Sequence, residues 1–159
     1  HLDTLLRENF KGVKLHPRSQ QIDLYEDHDW VYEMISERGI PLLFHCNGME
    51  EISSPRPMVE LAKRYSNLNI VIAHFCGLDN KAFEYAKPLD NVYVDTSLYS
   101  RTLKIKDLVK SGFDRLIYAS DAPFDSPRAS LVKVYESDLN PEDKEKILYG
   151  NAAKLLGLD

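Results

Sequence analysis

Five short apolar runs of the sequence each end in a side chain that can bind a metal ion or move a proton. The groups at their ends are the imidazoles of His16, His45 and His74 and the carboxylates of Asp95 and Asp121. Parallel α/β sheets place their functional groups at the carboxyl ends of the strands. We therefore predict that these run ends meet at one edge of a parallel sheet and form an active site.

Three of these residues have the chemistry of metal ligands. A lone histidine after an apolar run is usually a core residue, but His45 and His74 occupy equivalent strand ends and Asp121 occupies a third. Neutral imidazoles and a carboxylate are the ligand set of a catalytic metal site that keeps one position open. The pattern predicts a divalent metal but does not name it; we take zinc as the first candidate and manganese as the second.

Lys14 and His16 are the predicted substrate-binding residues. Alternate residues of a strand share a face, so Gly12, Lys14 and His16 lie on one face of the first strand. A lysine inside a barrel is costly unless it is paired, bound to substrate or modified. Two alternatives stay open, in which Lys14 reaches solvent at the rim and the His16-Pro17 pair only ends the strand.

The same alternation assigns faces to the other strand ends. His45 shares a face with Leu43, His74 shares one with Ile72, and Cys46 is expected to face the helix layer. The polar face of each strand is expected to look inward and the apolar face to meet the helices.

Four further polar residues carry less weight. Asp95 and Ser97 are interpreted as helix caps or pocket lining, and His28 as part of a solvated charged face. Cys76 is placed near the mouth of the pocket. No Ser-His-Asp order, glycine-rich phosphate loop or CxxC pair competes with the metal hypothesis.

Composition limits the class of protein. A chain of 159 residues is predicted to form a single domain, 1–159, with its own core. The formal charge of −5 argues against nucleic-acid binding, and no apolar run is long enough to span a membrane. Two cysteines are too few for a disulfide scaffold, which favours a reducing, cytoplasmic location. The expected ligand is a small-molecule substrate.

The elements that must position these residues alternate along the chain as one helix followed by five strand–helix units. Such alternation predicts a parallel sheet with right-handed crossovers. His16, His45 and His74 are each 29 residues apart, close to the roughly 31 residues of one unit in a (β/α)₈ barrel. The predicted strands are 12–16, 41–46, 69–75, 91–97 and 115–121, and residues 18–28 are predicted to be a loop. A cap residue followed by proline predicts a helix start at Ser54-Pro55, Ser126-Pro127 and Asn140-Pro141. Gly150-Asn151 is predicted to break the last segment in two.

At these residues the sequence resembles the amidohydrolase superfamily, in its amidohydrolase-related branch that includes aminocarboxymuconate-semialdehyde decarboxylase-like enzymes. The resemblance covers essentially the whole chain, in order. The segments that carry it are Gly12–Pro17, Ile40–His45, Ile70–Phe75, Val92–Ser97, Ala119–Phe124 and Ile147–Leu156.

The resemblance implies roles for individual residues. His45 would be the metal ligand of strand five, and His74 the strand-six histidine that polarises substrate or also binds metal. Asp121 would be the strand-eight aspartate that binds metal and accepts the proton of its water. Lys14 would hold a substrate carboxylate or be carbamylated between two metals. The reaction implied is hydrolysis of an amide, ester or lactone by a metal-activated water, or the related decarboxylation of an unsaturated acid.

The resemblance also implies a partial TIM-type barrel. The five strands would be strands four to eight, and strands one to three, about 90 residues, would be missing. The family's His-x-His pair of strand one occurs nowhere in the sequence. Three readings follow: an incomplete enzyme, a non-catalytic fragment or structural subunit completed by a partner chain or by homo-oligomer formation, and an open five-stranded binding module. An arc of this kind would leave two unpaired edges and an uncovered interior.

Overall fold

Five parallel strands form one sheet in which chain order and spatial order agree. The structure, a computed structural model, describes residues 2–98 and 102–158. Each strand pairs with the strand that follows it in the chain, in the order β1-β2-β3-β4-β5, and every pair is parallel. The strands are β1 (Val13–Leu15), β2 (Leu42–Phe44), β3 (Ile70–Ile72), β4 (Val92–Asp95) and β5 (Leu116–Ile117).

Helices connect the strands and cover one face of the sheet. None of the helices in the described ranges is long and apolar enough to cross a membrane. The helices are α1 (Leu2–Leu6), α2 (Pro17–Gln20), α3 (Asp29–Glu37), α4 (Pro55–Arg64), α5 (Ala73–Gly77), α6 (Asn80–Ala86), α7 (Thr102–Lys110), α8 (Pro127–Tyr135), α9 (Pro141–Glu145) and α10 (Asn151–Leu156), with a 3₁₀ turn at Glu51–Ser53 and a π-helical turn at Lys146–Gly150.

The two faces of the sheet differ in what they contact. The register pairs Leu42 with Ile70 and Phe44 with Ile72, and these side chains are fully buried in the core beneath the helices. Residues of the opposite parity, such as Leu43 and Val71, form a second apolar cluster on the inner face. The predicted alternation of faces is therefore confirmed for the strands themselves, but the expected polar inner face is wrong for β2 and β3, whose inward residues Leu43 and Val71 are apolar.

Sequence signals for helix starts and for a loop had different outcomes. The cap-and-proline starts are confirmed, since Ser126 Oγ accepts a hydrogen bond from Ala129 N at the start of α8. The prediction that 18–28 is entirely loop is wrong, because Pro17–Gln20 is helical. His16 caps this short helix, since its Nδ1 accepts a hydrogen bond from Ser19 N at 3.3 Å, and Pro17 occupies the first helical position.

The carboxyl-terminal segment covers an edge that an arc of strands would otherwise expose. The predicted break at Gly150-Asn151 is wrong, because the chain continues through the π-helical turn into α10. Tyr118 N donates to Ile147 O at 2.8 Å, and Asn151 Nδ2 donates to Leu116 O at 2.7 Å. Leu155 of α10 packs on the inner face. The expectation of two bare edges is therefore corrected at the β5 side, while β1 pairs with no second strand within the described residues.

Asn91, just before β4, forms hydrogen bonds with the end of α4. Its side chain is buried, and Nδ2 donates to Ala62 O at 3.0 Å, Tyr65 O at 3.0 Å and Leu68 O at 2.9 Å. The two N–H hydrogens of one amide group are thus shared among three backbone carbonyls in the last turn of α4 and just after it. The residue acts as a structural clamp before β4.

We expect Asn91→Ala to lower the free energy of unfolding by about 1–3 kcal/mol, since buried carbonyls lose their donor. Asn91→Asp should cost more, because a carboxylate would then face three carbonyl oxygens. Urea unfolding at neutral pH measures both values. The exposed Asn67→Ala is the matched control and should be neutral within about 0.5 kcal/mol. Wild-type stability of the aspartate variant would contradict the clamp.

Candidate active site

His74 reaches the inner face of the sheet through a left-handed turn. Strict alternation after Ile72 would direct His74 toward the helix layer, since Ile72 itself lies in the outer core. Instead β3 stops at Ile72, and His74, Phe75 and Cys76 have φ values of 59°, 52° and 54°. The predicted strand 69–75 is therefore too long, and the expected shared face of His74 and Ile72 is wrong. The turn redirects the imidazole toward β2.

Asp95 holds this turn in place from the neighbouring strand. Its Oδ1 accepts hydrogen bonds from His74 N at 2.8 Å, from Ser97 N at 3.0 Å and from Ser97 Oγ at 2.5 Å. All three residues are at most 5 % exposed. One buried carboxylate oxygen therefore fixes both the backbone of His74 and the hydroxyl beside it.

A chain of hydrogen bonds continues from Ser97 through both histidines. His74 Nδ1 lies 2.6 Å from Ser97 Oγ, and His74 Nε2 lies 3.0 Å from His45 Nδ1. Because Ser97 gives its only hydroxyl proton to Asp95, it must accept from His74 Nδ1–H. A neutral His74 then accepts from His45 Nδ1–H. The network assigns one tautomer to each ring and leaves the His45 Nε2 lone pair free.

Both histidines are kept neutral by their surroundings. Loss of solvent is the main cause that lowers the pKa of His45, and together with the nearby His16, His74 and Lys14 it brings the pKa to about 4. Burial is also the main cause that lowers the pKa of His74, against the carboxylates of Asp95 and Asp121, which raise it. Neutral imidazoles at pH 7 can accept hydrogen bonds or bind a metal.

His16 contacts the pair from the β1 side. Its ring is stacked on that of His45, with centroids 3.8 Å apart and an interplanar angle of 11°. The His45 and His74 rings meet edge to face at 4.9 Å. The structure thus brings three imidazoles from the ends of three adjacent strands into one row.

Lys14 and Asp121 belong to the same electrostatic neighbourhood without touching the row. Desolvation lowers the pKa of Lys14, and the carboxylates of Asp95 and Asp121 oppose this shift. The Asp121 carboxylate also opposes the lowering of the His45 pKa. Asp121 has a φ of 62°, and its carboxylate forms no hydrogen bond with any described residue.

A cleft opens along the inner face of the sheet. It has a volume of about 390 Å³, and its lining includes Lys14, Leu43, Asp95, Ile117 and Leu155. Most of this lining is apolar, and the ammonium of Lys14 and the carboxylate of Asp95 are charged groups within it. The three histidines and Asp121 are not part of this lining, so the cleft lies beside the row of imidazoles and shares Lys14 and Asp95 with its surroundings. Such a surface suits a small molecule with an apolar body and a polar end.

The histidine pair has the spacing of two metal ligands but lacks the rest of a ligand set. Nitrogen ligands at about 2.0–2.1 Å from a tetrahedral metal lie about 3.3 Å from each other, close to the 3.0 Å between His45 Nδ1 and His74 Nε2. Across residues 2–98 and 102–158, however, no three His, Cys, Asp or Glu side chains gather closely enough to hold a metal ion. The described residues therefore supply two donors and an incomplete shell.

The loops that carry the two histidines touch through glycine backbone. A Cβ at Gly77 would lie 2.1 Å from Gly48 N, and one at Gly48 would lie 2.7 Å from Gly77 O. Only glycine permits this approach, and Gly77 also has a φ of 58°. The contact sets the distance between the turn after β3 and the loop after β2.

Sequence reasoning gave too little weight to Asp95 and Ser97 and misplaced one cysteine. Asp95 has the same parity as Tyr93 on the inner face of β4, and Ser97 follows two residues later, which was a readable signal of a site role. Cys46 lies in the outer core as predicted, but Cys76 is also buried there and does not see the pocket. The left-handed turn explains this, since it sends Cys76 away from the cleft.

Parallel strands in sequential order, joined by helices, are the architecture of (β/α)-barrel folds, which carry their sites at the carboxyl ends of the strands. The family model described as amidohydrolase matches residues 2–158, and the chain belongs to that family. The resemblance seen in the sequence is thereby confirmed. The chain matches no curated protein.

Solved structures with this fold come from several bacteria. An uncharacterised TIM-barrel protein from Bordetella bronchiseptica has a TM-score of 0.83 at 19% identity, with 98% of this chain and 60% of that chain covered. Amidohydrolase 2 from Bifidobacterium longum subsp. infantis has a TM-score of 0.72 at 18% identity, with 95% of this chain and 62% of that chain covered. The third is the 5-carboxyvanillate decarboxylase of Novosphingobium aromaticivorans, complexed with manganese and 4-hydroxy-3-methoxy-5-nitrobenzoic acid. It has a TM-score of 0.71 at 18% identity, with 93% of this chain and 56% of that chain covered. The chain thus spans 56% to 62% of the length of these three proteins.

Gly77→Ala should destabilise the fold by about 1–3 kcal/mol more than Gly39→Ala, because the backbone of the facing loop must move. Gly39 is the matched control, since it has a φ of 62° and nothing within 4 Å of its Cβ position. Both variants carry the cost of a left-handed alanine, about 1–2 kcal/mol. The difference between their urea unfolding free energies isolates the close approach, and equal losses would contradict it.

Proposed function

We propose that this chain is part of a metal-dependent enzyme of the amidohydrolase type, with its site at the carboxyl ends of the five strands. The observation that carries the proposal is the 3.0 Å contact between ring nitrogens of His45 and His74, two neutral imidazoles from adjacent strand ends. Family membership and the manganese in the decarboxylase of similar fold support a divalent metal. Zinc and manganese are both candidates.

The proposed division of roles follows the positions of the side chains. A divalent metal at such a site would lower the pKa of bound water and stabilise negative charge on the substrate. His45 and His74 would bind it, with His45 moving its proton from Nδ1 to Nε2 so that both lone pairs face one point. Asp121 would add a carboxylate ligand and accept a proton, and the remaining ligands would come from outside the described residues. Lys14 and His16 would bind the substrate.

The substrate is proposed to be a small molecule with an apolar body and an acidic or carbonyl group. The largely apolar cleft and the ammonium of Lys14 support this class. Hydrolysis of an amide, ester or lactone is the first candidate reaction, and decarboxylation of an unsaturated acid is the second. The five strands are proposed to be strands four to eight of the family barrel, which places the absent His-x-His ligands outside the given sequence.

His45→Ala is expected to abolish metal binding by the chain, because it removes one of two imidazole donors. Metal content after incubation with Zn²⁺ or Mn²⁺ and gel filtration is the measurement, and calorimetric titration gives the dissociation constant. Wild type should bind more weakly than a closed four-ligand zinc site, since few donors are present. His28→Ala is the matched control, because His28 contacts Asp23 O and Tyr32, away from the row. Unchanged metal content in His45→Ala would remove the assignment.

Ser97→Ala should weaken metal binding about 10-fold, within the usual range of about 10–100-fold for groups that orient a ligating histidine. The hydroxyl fixes the His74 ring through Nδ1, so its loss frees the ring without removing a donor. Calorimetric titration compares the dissociation constants of the two proteins. Ser66→Ala, a change at an exposed loop serine, is the control. An unchanged constant would show that Ser97 does not orient the ligand.

A second candidate is a non-catalytic chain completed by a partner polypeptide or by a second copy. The observation that favours it is that no three potential ligands cluster among the described residues. Sedimentation equilibrium with and without metal separates the two. A monomer that binds metal through His45 supports the enzyme, and a metal-free stable oligomer supports the structural subunit.

A further inference from the structure

Lys133 is a buried cation beside the hydrogen-bonded row. It lies on α8 and is only 5% exposed. Burial lowers the pKa of its ammonium, while the carboxylates of Asp125 and Asp95 oppose that shift. A buried ammonium costs free energy unless it forms hydrogen bonds, so the position of these bonds shows what the residue does.

The ammonium binds the backbone on both sides of Ser97. Lys133 Nζ donates to Thr96 O at 2.7 Å and lies 3.5 Å from Leu98 O. Leu98 has a φ of 63°, so the backbone is no longer extended immediately after Ser97. The lysine therefore holds the backbone on either side of the serine hydroxyl.

The same ammonium also faces the turn that carries His74. Its Nζ lies 5.9 Å from the ring centroid of Phe75, the residue that follows His74. A cation over an aromatic face within about 6 Å is attracted to it. Lys133 thus contacts the segments on both sides of the hydrogen bond between Ser97 Oγ and His74 Nδ1.

We infer that Lys133 is a positioning residue that holds Ser97 and the His74 turn in register and so keeps the proton of His74 on Nδ1. It acts through Ser97 and touches neither imidazole. The inference deepens the proposed function and rests on it for its catalytic meaning, although the effect on the His74 ring exists without any metal.

The test is the tautomer of His74, read from the ¹⁵N shifts of its ring in the full chain at neutral pH, as isolated and after dialysis against a chelator. In wild type one nitrogen should be fully protonated and the other unprotonated. In Lys133→Met the two shifts should move toward a common value, as they should in Ser97→Ala. Lys133→Arg, which keeps a cation and donors, should restore most of the wild-type difference.

Lys144→Met is the matched control, because Lys144 also donates to a backbone carbonyl, Tyr135 O, but at the surface. It should leave the His74 shifts unchanged. If Lys133→Met lowers the unfolding free energy while His74 keeps its wild-type tautomer, the role is merely structural and the inference is overturned.

A measurement on the unmodified chain covers the case in which Lys133→Met does not fold. A scalar coupling between Lys133 Nζ and the carbonyl carbon of Thr96 should be detectable across the hydrogen bond, and its absence would overturn the inference. Metal content of the wild type tests the proposed function separately. If the wild type binds no metal but Lys133→Met still changes the tautomer of His74, the proposed function is rejected and the inference about Lys133 is retained.

Discussion

The left-handed turn after β3 is the constraint on which the site depends. Three consecutive non-glycine residues from His74 to Cys76 have positive φ, a conformation that costs about 1–2 kcal/mol per residue. Regular extension of the strand would have placed His74 beneath the helices. The turn instead places it against His45, and the Asp95 carboxylate offsets part of the cost by accepting the His74 amide. Strain held by a specific buried acceptor at a strand end is typical of functional sites.

The direction of the hydrogen bonds follows from one buried carboxylate. The ionised Asp95 carboxylate can only accept, so the Ser97 hydroxyl must donate to it. Ser97 then accepts from His74 Nδ1–H, and His74 Nε2 accepts from His45 Nδ1–H. This order orients the His74 ring before any ligand arrives. Preorganisation of that kind lowers the entropic cost of binding at the His45 side. The same order explains why Ser97, which does not face the cleft itself, belongs to the site.

The sequence predicted the sheet well because its signals are local. Apolar runs, cap-plus-proline starts and a 29-residue spacing are each contained within one strand–helix unit. The convergence of His16 and His45 also followed from strand parity and register. The position of His74 did not, because parity assumes an extended backbone and the turn violates it. Lys133 was equally inaccessible, since a lysine within a helix carries no local sign that it caps carbonyls 35 and 37 residues earlier in the chain.

The open sheet explains why three imidazoles meet at the site although a complete set of metal ligands does not. Sequential parallel strands curve progressively, and only closure of the barrel brings the first and last strand ends across from each other. His16, His45 and His74 lie on adjacent strands and therefore touch in the arc itself. Asp121 follows β5, two strands beyond β3. Its carboxylate therefore acts on His45 and His74 through its charge, which raises their pKa values, and forms no hydrogen bond with either ring. A metal shell that joins Asp121 to the histidines must therefore draw on further donors facing them across the cleft, which is the geometry that the proposed family barrel supplies.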